Sequence, residues 1–437
     1  MKKIVIIIVI SILVLVYCTS AGQSAKKLKI SSFVDGSKLQ EAGAMKGDYI
    51  LKYDGKTVLS QNHLIELKNR VKTETVQVVL LRDGKKLKFR IPVGQIGVVL
   101  KEYEADHVPA RDANIIEGIG KLDWGIGMDN SFLACVYLLE QKFGSKLSYT
   151  DLVGLSGYAF RFHFFDRYCP SSPDATVGFD SGGYLMKKLG YNVSYYQLQT
   201  EEFTDSNSES KAEEGLRMLI LDSIDRDWPV LAIDLIDTPE WGLITGYQNR
   251  DREFFCRTFF DKTEGYEIAQ KFPWIIMIIK DKSETDIKPL YRESLQLARS
   301  LYETPGYENY FSGLTALREW IKALKDEQYY VRNSDKIDEI SHANWWIYVS
   351  LEIARGIGSE YLSINRDKFG TEPDQIDLLT EIYRNEANLL LDNYEILPNQ
   401  FAQTPQPWTS DMRTQQSSVL EDFLHLEKTA YEIINTF

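Results

Sequence analysis

The apolar pattern of this chain changes period twice, and that change constrains its fold more than any other feature. Between 29 and 100 short strand-like runs dominate, at 49–53, 76–81 and 87–91, and Arg82-Asp83-Gly84-Lys85 reads as the hairpin turn joining the last two. One helix interrupts them, capped by Ser60 and carrying Leu64, Leu67 and Val71 on one face. From 115 to 283 the two periods mix: helices are predicted at 130–143, closed by Gly144, and at 210–225, and strands at 230–235, 241–247, 254–259 and 274–279. From 284 onward only the helical period remains, at 310–324, 341–357, 375–394 and 419–437, with a proline-containing loop at 397–409. No fixed-length repeat is present, which points to a bundle rather than a solenoid. The expected fold class is α+β multidomain: a signal segment (1–22), a β-rich module (29–100), a linker (101–114), an α+β domain (115–283) and a C-terminal helical bundle (284–437).

The leader narrows the compartment. Lys2 and Lys3 precede an apolar run over 4–17, followed by the small residues Thr19, Ser20, Ala21 and Gly22, the layout of a secretory signal. Cleavage after Ala21 or Gly22, lipidation at Cys18, and retention as a membrane anchor are three outcomes of such a leader, and each places the rest of the chain outside the cytoplasm. The anchor is the shortest fit, since spanning a bilayer takes roughly 20 apolar residues. Membrane association is expected only through this segment. A formal net charge of -13 without a basic stripe excludes electrostatic nucleic-acid binding. Beyond Cys18 the cysteines are Cys135, Cys169 and Cys256, an odd number that allows at most one disulfide and supplies no zinc ligand set. No cofactor or metal is expected.

Gly36-Ser37-Lys38-Leu39-Gln40-Glu41-Ala42-Gly43-Ala44-Met45-Lys46-Gly47-Asp48-Tyr49-Ile50, followed by Tyr53-Asp54-Gly55-Lys56, resembles bacterial PDZ domains. Gly43 and Gly47 permit a tight backbone path, and Asp48 has a carboxylate suited to turn amides. The resemblance implies capture of a peptide or protein C-terminus by strand addition. The family's carboxylate-binding loop is absent upstream of Phe33. In a circularly permuted arrangement Gly94, Ile96 and Gly97 would supply it; otherwise these glycines shape a linker.

The central segment is similar to the N-terminal domain of butirosin biosynthesis protein H, a papain-fold relative of bacteriocin-processing cysteine peptidases. The residues that carry this are Asn130-Ser131-Phe132-Leu133-Ala134-Cys135, Leu155-Ser156-Gly157-Tyr158-Ala159-Phe160-Arg161, and Pro239-Glu240-Trp241-Gly242-Leu243-Ile244-Thr245-Gly246-Tyr247. Phe311-Ser312-Gly313-Leu314-Thr315-Ala316-Leu317-Arg318-Glu319-Trp320 resembles the helical region that follows that domain in its relatives. The likeness implies a papain-like cysteine-peptidase fold. Such a peptidase needs a thiolate at a helix N-terminus and an imidazole on a facing strand. Counting from Gly144 and Gly246 puts Ser131 at the nucleophile position and Glu240 at the base position, so neither half of the dyad has its usual residue.

Several alternatives remain open on the sequence. Cys135 is either a nucleophile on a helix that starts later or a small buried hydrophobe. Cys169 is an exposed thiol, a disulfide partner or a loop filler. His163, among aromatics, is a core-edge residue or the middle member of a Ser131, His163 and Glu240 triad. Asp180-Ser181-Gly182-Gly183 reads as a helix cap, since it lacks the lysine of a phosphate loop. Trp345, Trp346, Tyr348 and Trp320 belong to the core or line a cleft. Two functions follow: a PDZ-containing binding protein whose papain-like domain holds a small molecule or protein without turnover, or an acyltransferase or peptidase using Cys135 or Ser131.

Overall fold

The computed structural model describes residues 27–34, 36–58, 61–82, 85–94, 96–103, 113–122, 127–198, 206–249, 253–370, 372–400 and 406–437. The leader with Cys18, the Ser60 cap and Asp83-Gly84 lie outside the described residues, as does most of the linker. Two compact units emerge: the described residues up to 103 together with Arg217–Asp222, and the remaining described residues from Ala113 on.

In the first unit β1 (Lys27–Phe33), α1 (Lys38–Glu41), β2 (Tyr49–Tyr53), β3 (Lys56–Thr57), α2 (Gln61–Arg70), β4 (Thr75–Arg82), β5 (Lys85–Pro92) and β6 (Val98–Tyr103) follow in order. The antiparallel sheet runs β5-β4-β2-β1-β6, with β3 beside β2. Along β4, Val76, Val78 and Leu80 turn inward, where Leu28, Ile30, Ile50, Leu64 and Leu67 complete the core. Buried Asp48 organises the preceding turn: it accepts Met45 N at 2.8 Å and the Arg82 fork at 2.7 Å through both oxygens. Strand β6 is an addition to the predicted pattern. Its sequence offers only a short apolar block, and its partner β1 lies at the opposite end of the unit's sequence, so pairing rather than periodicity reveals it.

Beyond 113 the chain continues through β7 (Asn114–Ile115), α3 (Ser131–Lys142), α4 (Tyr149–Leu155), β8 (His163–Phe165), α5 (Ser181–Lys188), β9 (Tyr191–Gln197) and α6 (Ser206–Asp225). Next come β10 (Val230–Ile233), β11 (Trp241–Gln248), β12 (Glu253–Arg257), β13 (Glu267–Ile268) and β14 (Ile275–Lys282). The C-terminal part comprises α7 (Lys288–Glu303), β15 (Gly306–Tyr307), β16 (Tyr310–Ser312), α8 (Gly313–Leu324), α9 (Glu327–Arg332), α10 (Ile337–Ile364), α11 (Pro373–Asp392) and α12 (Ser410–Ile434). One antiparallel sheet runs β13-β12-β11-β10-β14-β9 with β7 beside β11, and a smaller one runs β15-β16-β8. The protein is thus α+β, with several sheets and a helical C-terminal region.

The predicted helix at 310–324 begins only at Gly313. Before it, Tyr310–Ser312 pairs with β8 in the register Phe311↔Phe164 and Ser312↔His163. Gly313 makes the turn from strand to helix at φ 54°, where a Cβ would lie 2.7 Å from the Leu301 carbonyl oxygen. The small sheet therefore joins segments on both sides of 283, and the expected α+β domain and helical bundle form one compact unit. A buried ion cluster ties them further. On α10, the Arg355 guanidinium bonds Glu427 Oε1 at 2.8 Å through Nε and the Ala159 carbonyl at 2.7 Å through Nη1. Glu386 lies 3.2 Å from the same Nε without an aligned hydrogen bond; burial first, then the charge of Glu427, raise its carboxyl well above the usual range.

Candidate functional site

Helix α3 starts at Ser131 because extended Asn130 (φ −93°, ψ 111°) turns its side chain back to accept Leu133 N at 3.0 Å. The next residues are apolar and bury against β11, with Phe132 edge-on to Trp241 at 5.0 Å between centroids. This packing sets Ser131 at the electropositive end of the helix, facing the entry to β11. There a tight turn, closed by Glu240 N to Thr238 O at 2.7 Å, presents Glu240 one residue before the strand. Ser131 Oγ donates to Glu240 Oε2 at 2.5 Å and accepts from Trp241 N at 3.2 Å. The two residues that the resemblance assigned to the nucleophile and base positions are therefore bonded to each other.

A loop following β8 forms the adjoining wall. Buried Arg161 gathers its carbonyls, donating to Val177 O at 3.1 Å, Phe179 O at 2.8 Å and Asp174 O. The Asp174 carboxylate is oriented by Trp241 Nε1 at 3.0 Å and Thr176 N at 2.7 Å. Between these groups and α10 lies a cavity of about 720 Å³. Asp129, Ser131, Asp174 and Glu240 line one side, and His342, Trp345, Trp346, Val349 and Ile353 of α10 line another. His342 stacks on Trp345 at 5.6 Å.

The other predicted residues stand elsewhere. Cys135 is wholly buried one turn along α3, and burial first, then the charges of Glu240 and Asp261, raise its thiol well above its ordinary pKa. It is a packed hydrophobe, not an activated thiol. All three described cysteines are free. His163 receives Phe179 N on Nε2 at 3.0 Å, so Nδ1 carries the proton and donates to Phe162 O, also at 3.0 Å. Burial, with the Arg161 charge second, holds it well below the usual histidine range. With both ring nitrogens bonded to backbone, His163 braces the loop and does not complete a triad with Ser131 and Glu240. Asp180 caps α5, accepting Gly183 N at 2.7 Å, as its sequence suggests.

In the first unit Ile96 buries its side chain in the core, and its carbonyl accepts Ser37 Oγ at 3.0 Å. Gly97 adopts φ 71° with its Cα against Ser37, where a Cβ would lie 2.5 Å from Ser37 Cα. Gly94 is also at positive φ. This loop leads directly into edge strand β6.

The contribution of Asp174 and of the α10 face escapes sequence reading, because loop 170–179 is gathered by a distant arginine. One signal was present: adjacent Trp345 and Trp346 leave a helix in different directions, so only one of them can sit squarely in the core. Trp345 belongs to the same buried cluster as Trp320 and Tyr348 and also reaches the cavity, which the partly buried Trp346 lines beside it. Among the described residues no group of side chains suits a metal ion, and no helix is long and apolar enough to cross a membrane. No protein-family model matches the chain, and no curated protein matches it significantly in sequence.

Burial raises the Glu240 carboxyl to about 7, against the opposing Ser131 bond and with Asp174 adding to the rise. The native carboxyl therefore binds more protons than the unfolded one between about pH 4.5 and 7. Its stabilising contribution is complete below this window and is lost as pH rises through it. Chemical denaturation of wild type and Glu240→Gln across pH 4–8 should show the variant gaining roughly 1–3 kcal/mol relative to wild type as pH rises. Parallel curves would mean that the carboxyl is solvated.

Proposed function

We propose that this is an exported binding protein: its first unit takes an extended peptide at a sheet edge, and its second holds a ligand beside Ser131 and Glu240 without a cysteine–histidine dyad. The observation that carries this is the Ser131–Glu240 hydrogen bond of 2.5 Å at the wall of the cavity. In a papain-like domain these are the nucleophile and base positions, and here a hydroxyl and a carboxyl satisfy each other. Support for the papain-like assignment comes from a helix N-terminus set against a strand entry, with α3 packed on β11. The PDZ-like assignment is supported by the strand order and by a glycine loop opening onto edge strand β6. Export rests on the leader pattern alone.

A second reading has one observation in its favour. A carboxyl titrating near 7 is matched to general-base work at neutral pH, so Ser131 with Glu240 as its base is a chemically sound acyl-transfer pair. An activity screen with peptide and thioester substrates separates the two. We expect no turnover; turnover abolished by Ser131→Ala or Cys135→Ala in folded protein would establish acyl transfer instead.

For the first unit, fluorescence-polarisation titration of the full chain against C-terminal peptides should find binders. Gly97→Val should weaken them roughly tenfold or more, because the new side chain would meet Ser37 and displace the loop that leads into β6. A library with no binder would reduce this unit to a scaffold.

A further inference from the structure

We propose that the cavity beside Ser131 selects an organic cation with an apolar body: an ammonium group on the side carrying Glu240 and Asp174, and a hydrocarbon or ring portion against Trp345 and Trp346. This names the ligand class of the site proposed above and rests on that reading. The cavity, at about 720 Å³, is within the range of roughly 300–1,000 Å³ typical of small-molecule sites. Its described lining includes the carboxyl groups of Asp129, Asp174 and Glu240 and neither lysine nor arginine.

The bonds made by Asp174 and Glu240 orient these carboxyl groups without neutralising them. Asp174 is held by an indole N–H, a backbone amide and the Thr176 hydroxyl, and Glu240 by the Ser131 hydroxyl. Arg161 stands behind the loop, its guanidinium directed to main-chain carbonyls. An anionic ligand would meet like charge in a partly desolvated space, while a neutral apolar one would strip water from carboxylates without replacing it. An ammonium offsets both costs. The rise of the Glu240 carboxyl agrees, since a nearby cation would return it to its ionised form. On the other wall lie the Trp345 and Trp346 rings, 6.1 Å apart, whose indole surfaces suit an apolar body or the cation's own substituents.

The test uses three probes that differ only in charge: 4-phenylbutylamine, 4-phenylbutanol and 4-phenylbutyrate. Each is titrated into the full chain at pH 8 and followed by calorimetry and tryptophan fluorescence. The amine is expected to bind about tenfold tighter than the alcohol, and the carboxylate weakest of all. Glu240→Gln combined with Asp174→Asn should bring the amine to the level of the alcohol, and Trp346→Ala should weaken amine and alcohol alike. An amine that binds no better than the alcohol overturns the cation preference while leaving the cavity a ligand site. So does a preference that survives the double substitution. If none of the three binds to folded protein, both the inference and the reading beneath it fall.

Discussion

In native protein Cys135 is expected to resist alkylation by iodoacetamide at least about 10³-fold compared with the same thiol in denaturant. Its side chain is wholly buried within α3, and burial keeps it in the unreactive thiol form. Reaction therefore requires the second unit to open, and a domain stable by about 5 kcal/mol or more exposes its interior in fewer than one molecule in a thousand. Cys256 is buried as well, whereas Cys169 is half-buried and should label first. Peptide mapping by mass spectrometry separates the three. Labelling of Cys135 as fast as Cys169 in folded protein would restore the thiol as a candidate nucleophile and count against the serine–carboxyl arrangement.

The second large effect concerns stability. Arg355→Met removes the cation that compensates Glu427 and leaves the carbonyl of Ala159 without its 2.7 Å donor. Arg355 and both glutamates are at most 1% exposed, so water cannot take over. Removing one partner from such a cluster typically costs 3–5 kcal/mol, which should lower the melting temperature of this unit by on the order of 10 °C. Adding Glu386→Gln and Glu427→Gln should recover a substantial part, because the loss comes chiefly from an uncompensated buried carboxylate. A loss below about 1 kcal/mol would show that the cluster admits solvent. Arg355 also bears on the site. It holds the main chain at Ala159, two residues before Arg161, which in turn gathers the carbonyls of the cavity wall.

What the sequence by itself determined was local. Alternation set β2, β4 and β5 of the first unit, Asn130 and Asp180 marked helix starts, and spacing placed Ser131 at a helix N-terminus and Glu240 at a strand entry. Each of these signals lies within a few residues of the feature it specifies. The tertiary structure alone decided the pairing of β6 with β1 and of β16 with β8, because strand partners distant in sequence leave no periodic trace. It also decided the chemistry of the site. Whether Glu240 is an ordinary carboxylate or a group titrating near 7 depends on its burial and on Asp174, and the cavity exists only because α10 brings its aromatic face across from a loop that Arg161 holds. Desolvation and charge proximity act through space, so their outcome appears only once distant segments have met.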